Sequence, residues 1–326
     1  MPIFPFDDQQ IERAAARLRA GELVAFATET VYGLGANALD ERAVAKIYAA
    51  KGRPAFNPLI VHVANLAAAR ELTTGWNERA ELLAQAFWPG PLTLVLPKTS
   101  AIPPNVSAGL GTVALRVPGA HGARKLLEAA RVPLAAPSAN ASGGVSPTLA
   151  VHVTASLGDG IFVLDGGACE VGIESTVVDV SGPQTAILRP GSLSEREIAR
   201  VAGPLSPFAA SEKECDEPRA SPGMLLRHYA PRAPLQLFAN LTEAHFHAVA
   251  SRAARLGVVA FEPTRLEAHR ELILPLDAAQ YAQKLYAALH HLDEAGCDGI
   301  LVEDPPLLPA WSGVRDRLQR AARASS

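Results

Sequence analysis

The 326-residue chain carries 30 basic and 33 acidic side chains, with 48% hydrophobic and 19% charged residues. That balance describes a compact globular protein, and a formal charge of −3 gives no general pull toward nucleic acid or an anionic membrane, so any basic site has to be local. No window reaches the ~18 apolar residues of a membrane span. The opening MPIFPFDDQQ lacks the basic and apolar regions of a signal peptide, and Cys169, Cys215 and Cys297 are too scattered for a disulfide framework or zinc knuckle. A reducing cytoplasm is the expected setting.

In chain order, LVAFATET, PLIVHV, LTLVLP, VALRV, FVLDGG, STVVDV and TAILRPG read as strands bounded by Gly and Pro. Among them, DERAVAKIYAAKG reads as a helix with Asp40 as N-cap, Val44, Ile47 and Tyr48 as its apolar stripe, and Gly52 as its stop. SEREIARV opens with the capping-box pattern Ser194 to Glu197. From Gly203 to about Arg232 the chain turns rich in Pro, Ser and charge without a sustained period, which reads as a linker. Beyond it, LQLFAN, VVAFE, LILPL and GILVED alternate with helical runs such as AAQYAQKLYAALHHLDEAG, the pattern of a small α/β domain with a partly parallel sheet.

Three stretches carry charge or backbone suited to a ligand. In KGRPAFNPLIVHV, Lys51 and Arg53 follow a helix, where they either complement its C-terminus in solvent or meet an anion. Period-2 alternation then puts Leu59, Val61 and Val63 on one face and Ile60 and His62 on the other. In GTVALRVPG, Val113, Leu115 and Val117 point one way while Thr112, Ala114 and Arg116 point the other. A guanidinium there wants a bidentate anion, from the protein or from a ligand. APSANASGGVSPT is small and polar enough for backbone to approach a ligand, and Ser146 before Pro147 has the form of a helix N-cap behind a glycine-rich loop, an anion site. An ordinary loop is the alternative.

Other signals are missing. GACEVGIE has the glycine spacing of a P-loop without its lysine, GLGANA lacks the third glycine of a dinucleotide fingerprint, and no Ser or Cys sits in a nucleophile elbow. His290-His291 lacks the glutamate of a metalloprotease helix and reads as helix surface. Electrostatic and positional catalysis is what remains.

TETVYGLG, KGRPAFNPLIVHV, FWPGPLTLVL, ALRVP, APSANASG, GIESTVVD and RPGSLS occur in that order, and together they resemble YrdC-like domains. With SPGMLLRHYAP and a following α/β domain, the whole chain resembles the two-domain L-threonylcarbamoyladenylate synthases. The resemblance implies a twisted, open-sheet α/β domain with a concave site over residues 1–203, a linker or lid over 204–232, and a smaller, Rossmann-like α/β domain over 233–326. It implies that L-threonine, bicarbonate and ATP, with Mg2+ on the nucleotide, give threonylcarbamoyl-AMP and pyrophosphate. The intermediate would pass to a separate transferase that modifies tRNA, with no membrane and no stable nucleic-acid binding by this chain.

Carried over by motif, Thr30, His62, Arg116, the backbone at Ala136, and Thr176 would hold threonine. Arg53, Asn57, Thr112, Ser138, Ser146, Arg189 and Tyr229 would touch the nucleotide, and Lys51 would lie over its phosphates, so Lys51 and Arg53 are the expected catalytic cations. Asp165 and Glu174 are weaker candidates for a proton acceptor. Met224, Leu225, Leu226 and Tyr229 suggest that the linker folds back over the first domain. A double-stranded RNA-binding module is the main alternative, and would bind with steep salt dependence and no response to threonine. A carbamoyl-transfer enzyme of metallocentre assembly is a second, but such proteins resemble longer chains with zinc-binding cysteine pairs.

Overall fold

The computed structural model describes residues 2–206, 228–239, 242–250 and 253–323. Cys215 and Met224, Leu225 and Leu226 of the linker lie outside the described residues. Among those described, the first domain is built on an eleven-stranded mixed sheet. Its spatial order is Ile3–Pro5, Phe162–Asp165, Val24–Ala27, Tyr32–Asn37, Leu134–Ala135, Ile60–His62, Thr112–Arg116, Leu92–Pro97, Thr176–Asp179, Thr185–Arg189 and Leu205–Ser206.

The strand alternation read from the sequence holds at its centre. Ile60–His62 runs parallel to Thr112–Arg116, with Ile60 beside Ala114 and His62 beside Arg116. Leu59, Val61, Val63, Val113, Leu115 and Val117 all enter one apolar core, leaving His62 and Arg116 together on the opposite face. Each fully buried Val or Leu there contributes roughly 1.5–3 kcal/mol over an exposed one, so a one-residue slip of register is excluded.

Helix Glu41–Lys51 starts where expected, with the Asp40 side chain accepting from the Arg42 and Ala43 amides, and ends at Gly52 with φ 59°. The capping box of Ser194 and Glu197 opens helix Glu195–Ala202. The strand Tyr32–Asn37 is glycine-rich and gave no strand signal. A Cβ at Gly35 would meet the Phe26 ring at 2.8 Å, so the glycine lets this strand lie against its hairpin partner.

The second sheet is fully parallel, in the order Leu235–Phe238, Gly299–Glu303, Leu256–Ala260 and Arg270–Ile273. Helices Ala278–Glu294 and Ser312–Ala322 belong to this domain. Tyr281, Leu285, Leu289 and Leu292 of the first pack with Val314, Leu318 and Ala321 of the second in a core that also takes in Val31, Val145 and Ile173 of the first domain.

Candidate active site

The hairpin turn after Val24–Ala27, the strand Ile60–His62 and the end of Thr112–Arg116 surround a chamber open to solvent. Of the residues expected at the site, Thr30, Arg53, His62, Arg116, Ala136, Ser138, Arg189 and Tyr229 line it. Thr28, Val31, Gly33, Ile60, Pro137, Glu174, Ser175 and His228 complete the wall.

At one end the turn Thr28–Val31 is tied by its own side chain: the Thr28 hydroxyl donates to the Val31 carbonyl at 2.7 Å and accepts from the Thr30 and Val31 amides. This presents Glu29 and Thr30 to Arg116. The guanidinium donates to Glu29 Oε1 at 2.6 Å, to Thr30 Oγ1 at 3.0 Å and to the Gly90 carbonyl at 3.2 Å. Burial pushes the Glu29 carboxyl up, but Arg116 and the surrounding backbone donors outweigh it and hold it at about 2. His62 lies on the same face, kept neutral by burial and by the Arg116 charge, which bring it down to about 3. Its Nδ1 is buried without a hydrogen-bond partner.

The other end is cationic. Arg53 is buried and donates to the Asn57 carbonyl at 3.2 Å and the Pro58 carbonyl at 2.9 Å, bending KGRPAFN back on itself. Lys51 is buried behind the wall, its Nζ donating to the carbonyls of Ser138 (2.5 Å) and Asn140. Burial, then the nearby Arg53 charge, lowers its pKa well below that of a free lysine. The sequence presented Lys51 as a phosphate cation; its contacts here make it the clamp that joins the helix to the 137–144 loop. Arg189 donates to the Ser175 carbonyl and hydroxyl at 3.0–3.1 Å.

Tyr229 closes the chamber from the linker. Its neighbour Ala230 donates to the Gly143 carbonyl at 3.0 Å, pinning the linker's end to the glycine loop. Tyr229 has φ 63°, a left-handed conformation uncommon for a bulky side chain. Its hydroxyl and His228 Nδ1 are both buried without hydrogen-bond partners. Unpaired polar atoms are costly in an interior, so their gathering on one wall points to a ligand that would pair with them.

Lys51, Asn57, Thr112, Ser146 and Thr176 are not part of the lining. Asn57 is buried in the Arg53 loop with its Nδ2 unpartnered. Thr112 starts its strand. The Thr176 hydroxyl donates to the Leu193 carbonyl and accepts from the Leu193 amide, while its neighbour Ser175 faces the chamber.

Ser146 is not a helix N-cap. The helix begins at Ala150 after an extended stretch in which the Pro147 carbonyl accepts from the Tyr32 amide, so no helix terminus backs this loop. The Ser146 hydroxyl instead donates to Glu174 at 2.5 Å. Both Glu174 oxygens are occupied, the second by Tyr286 (3.1 Å) and Arg317 (2.7 Å). Burial pushes this carboxyl up, but Arg317 and Arg189, with the Ser146 hydrogen bond, hold it at about 2, so it stays ionised against these partners. Asp165 accepts from the Tyr32 hydroxyl and lies off the chamber. His290 is not helix surface either: it stacks on His152 at 3.9 Å and donates to the Ser146 carbonyl.

Residues 16–191 match the Sua5_yciO_yrdC family model, described as "Telomere recombination". Residues 193–323 match the model of the threonylcarbamoyl-AMP synthase C-terminal domain. The chain belongs to the threonylcarbamoyl-AMP synthase family. It is an enzyme of that kind. It is 41% identical to threonylcarbamoyl-AMP synthase of Pyrococcus abyssi, over 97% of this chain and 95% of the relative. Against the Bacillus subtilis family member the identity is also 41%, over 97% and 94% of the two chains. The crystal structure of P. abyssi Sua5 complexed with L-threonine matches with a TM-score of 0.89 at 41% identity, covering 98% of this chain and 96% of the other. E. coli YciO, 20% identical with a TM-score of 0.50, covers 57% of this chain and shares a fold only.

The two depressed carboxylates give this family member a defined acid limit. The stability that Glu29 and Glu174 contribute is complete above the unfolded-state value near 4.5 and is lost as the pH falls toward about 2. Each contributes roughly 3 kcal/mol from a shift of that size. Melting temperature measured from pH 6 down to pH 3 should fall steeply below about 4.5, and Glu29→Gln should flatten that fall.

Proposed function

We propose that the chain condenses L-threonine, bicarbonate and MgATP to L-threonylcarbamoyl-AMP, releasing pyrophosphate and water, and that the product feeds threonylcarbamoyl modification of tRNA by a separate transferase. The observation that carries this reading is one chamber with Arg116, Thr30 and neutral His62 at one end and Arg53 and Arg189 at the other. In the first step the threonine nitrogen attacks the bicarbonate carbon and water leaves. A carbamate oxygen then attacks the α-phosphorus and pyrophosphate departs. No side chain needs to become covalent; holding the carbamate in line and neutralising the phosphates supplies the catalysis.

Arg116 uses three of its five N–H groups on protein acceptors, leaving two for the threonine carboxylate. His62, being neutral, acts through hydrogen bonds rather than charge. Arg53 and Arg189 oppose the phosphates, with Ser138 and Tyr229 around the nucleotide and the Ala136 backbone toward threonine, while Asn57, Thr112, Ser146 and Thr176, carried over by resemblance, support this wall from outside the lining. Mg2+ comes with ATP. It is a hard cation that prefers phosphate oxygens and water, and the chamber donors are mainly cationic or neutral. The proposal assigns the reaction to the first domain, residues 1–203, with Tyr229 at the end of the linker 204–232 beside the nucleotide, in the cytoplasm where ATP is supplied.

Pyrophosphate release should require ATP, threonine and bicarbonate together, with no tRNA added. Equal release without threonine would remove the proposal. Double-stranded RNA binding has less support, because the cations here are buried inside a chamber rather than spread along a face.

The chamber also bears on selectivity. With Val31, Ile60 and Ala136 on its wall, the threonine methyl would be enclosed. Serine should then be used about 10–200-fold less efficiently in kcat/KM, the range for one buried methyl group. Competition between the two amino acids, read by mass of the product, measures it.

A further inference from the structure

The second domain reaches the chamber wall at Glu174, chiefly through Arg317. Arg317 lies in helix Ser312–Ala322, on the face of Val314, Leu318 and Ala321, and is 1% exposed. Its Nε donates to Glu174 Oε2 at 2.7 Å, Nη1 to the Pro190 carbonyl at 2.8 Å and to Asp316 at 2.8 Å, and Nη2 to the Glu174 carbonyl at 3.4 Å. The guanidinium carbon stands 5.0 Å from the centre of the Tyr229 ring. Tyr286, also from the second domain, adds its hydroxyl to Glu174.

Close backbone approach holds this arrangement in place. A Cβ at Gly313 would meet the Gly191 carbonyl oxygen at 2.5 Å, and a Cβ at Gly172 would strike the backbone of Ala282 and Gln283. The helix carrying Arg317 therefore sits directly on the Arg189-Pro190-Gly191 turn. Asp316, ion-paired with both Arg317 and Arg320, fixes the guanidinium from behind.

Glu174 is the one carboxylate among the residues lining a chamber that also holds Arg53, Arg116 and Arg189. Released from Arg317, its charge would draw on Arg189 and oppose an incoming anion. We propose that Arg317 is a positioning residue for the nucleotide: it neutralises Glu174 and fixes the Tyr229 ring, so that Arg53 and Arg189 keep their charge for the phosphates. This assigns the second domain a part in ATP binding, and it rests on the reading of the reaction given above.

The test uses the full-length protein and pyrophosphate release. Arg317→Met should raise the KM for ATP by about tenfold or more while the KM for threonine stays within about threefold. Arg317→Lys, which restores charge without the planar fork, should fall between the two. The double variant Arg317→Met/Glu174→Gln should recover most of the ATP KM, because it removes the released charge as well. Equal rises in both KM values, or a double variant no better than the single one, would overturn the proposal.

If Arg317→Met does not fold, Tyr286→Phe removes a single donor to Glu174. Its KM for ATP should rise by about threefold and return on adding Glu174→Gln; no shift would overturn the proposal equally. A wild-type protein that releases no pyrophosphate would instead remove the assigned reaction. ATP-induced rises in melting temperature across the same variants would still decide the role of Arg317.

Discussion

Arg116→Ala is expected to affect both threonine recognition and folding, and the two effects can be separated. Loss of hydrogen bonds to a charged carboxylate weakens threonine binding by roughly 1.5–3 kcal/mol, with ATP affinity changed much less. Arg53→Ala should show the reverse preference. The same Arg116 substitution strands Glu29, which is 7% exposed and bonded to that guanidinium at 2.6 Å. Breaking a buried pair from one side costs about 3–5 kcal/mol of stability. Glu29→Gln added to Arg116→Ala should restore much of the stability and none of the threonine affinity. Urea unfolding and threonine titration measure the two. Recovery of both, or equal loss of ATP and threonine binding in a folded protein, would contradict the assignment.

Tyr229→Ala should give the largest change at the nucleotide end. An aromatic ring that stacks on a base contributes about 1–3 kcal/mol, so ATP should bind roughly 5–150-fold more weakly. Without the ring the chamber would also exclude water less well, and the mixed anhydride should hydrolyse faster. Tyr229→Phe separates ring from hydroxyl. The hydroxyl is buried with no partner in the free protein, so its removal should raise the melting temperature while lowering ATP affinity. A Phe variant unchanged in both would mean that the hydroxyl meets no ligand.

Much of the chamber could be read locally. Period-2 alternation separated His62 and Arg116 from the core residues beside them, and Gly52, Asp40 and the Ser194–Glu197 box marked helix ends by chemistry confined to a few residues. What escaped depends on pairing over long distances. Ser146-Pro147 has the form of a helix start, but the Pro147 carbonyl is taken by Tyr32, more than a hundred residues earlier in the chain. His290 looked like surface because its partner His152 belongs to the other domain.

Two missed residues did leave a signal. Glu29 is an ionisable group inside the otherwise apolar and hydroxylic run AFATETVYG, where only a buried cation could compensate it. Arg317 shares a helical face with Val314, Leu318 and Ala321, which is where an arginine has to find a buried acceptor. Neither pattern names the partner, since Glu174 and Arg317 are 143 residues apart.

The most direct measurement of the central claim follows the bonds formed. The protein would be incubated with MgATP, [15N]threonine and [13C]bicarbonate, and the product examined by NMR and mass spectrometry. A carbonyl carbon that is 13C, bonded to the threonine 15N and coupled through oxygen to the α-phosphorus of AMP, is the result predicted. An adduct of AMP with the threonine carboxyl group, carrying no 13C, would contradict it.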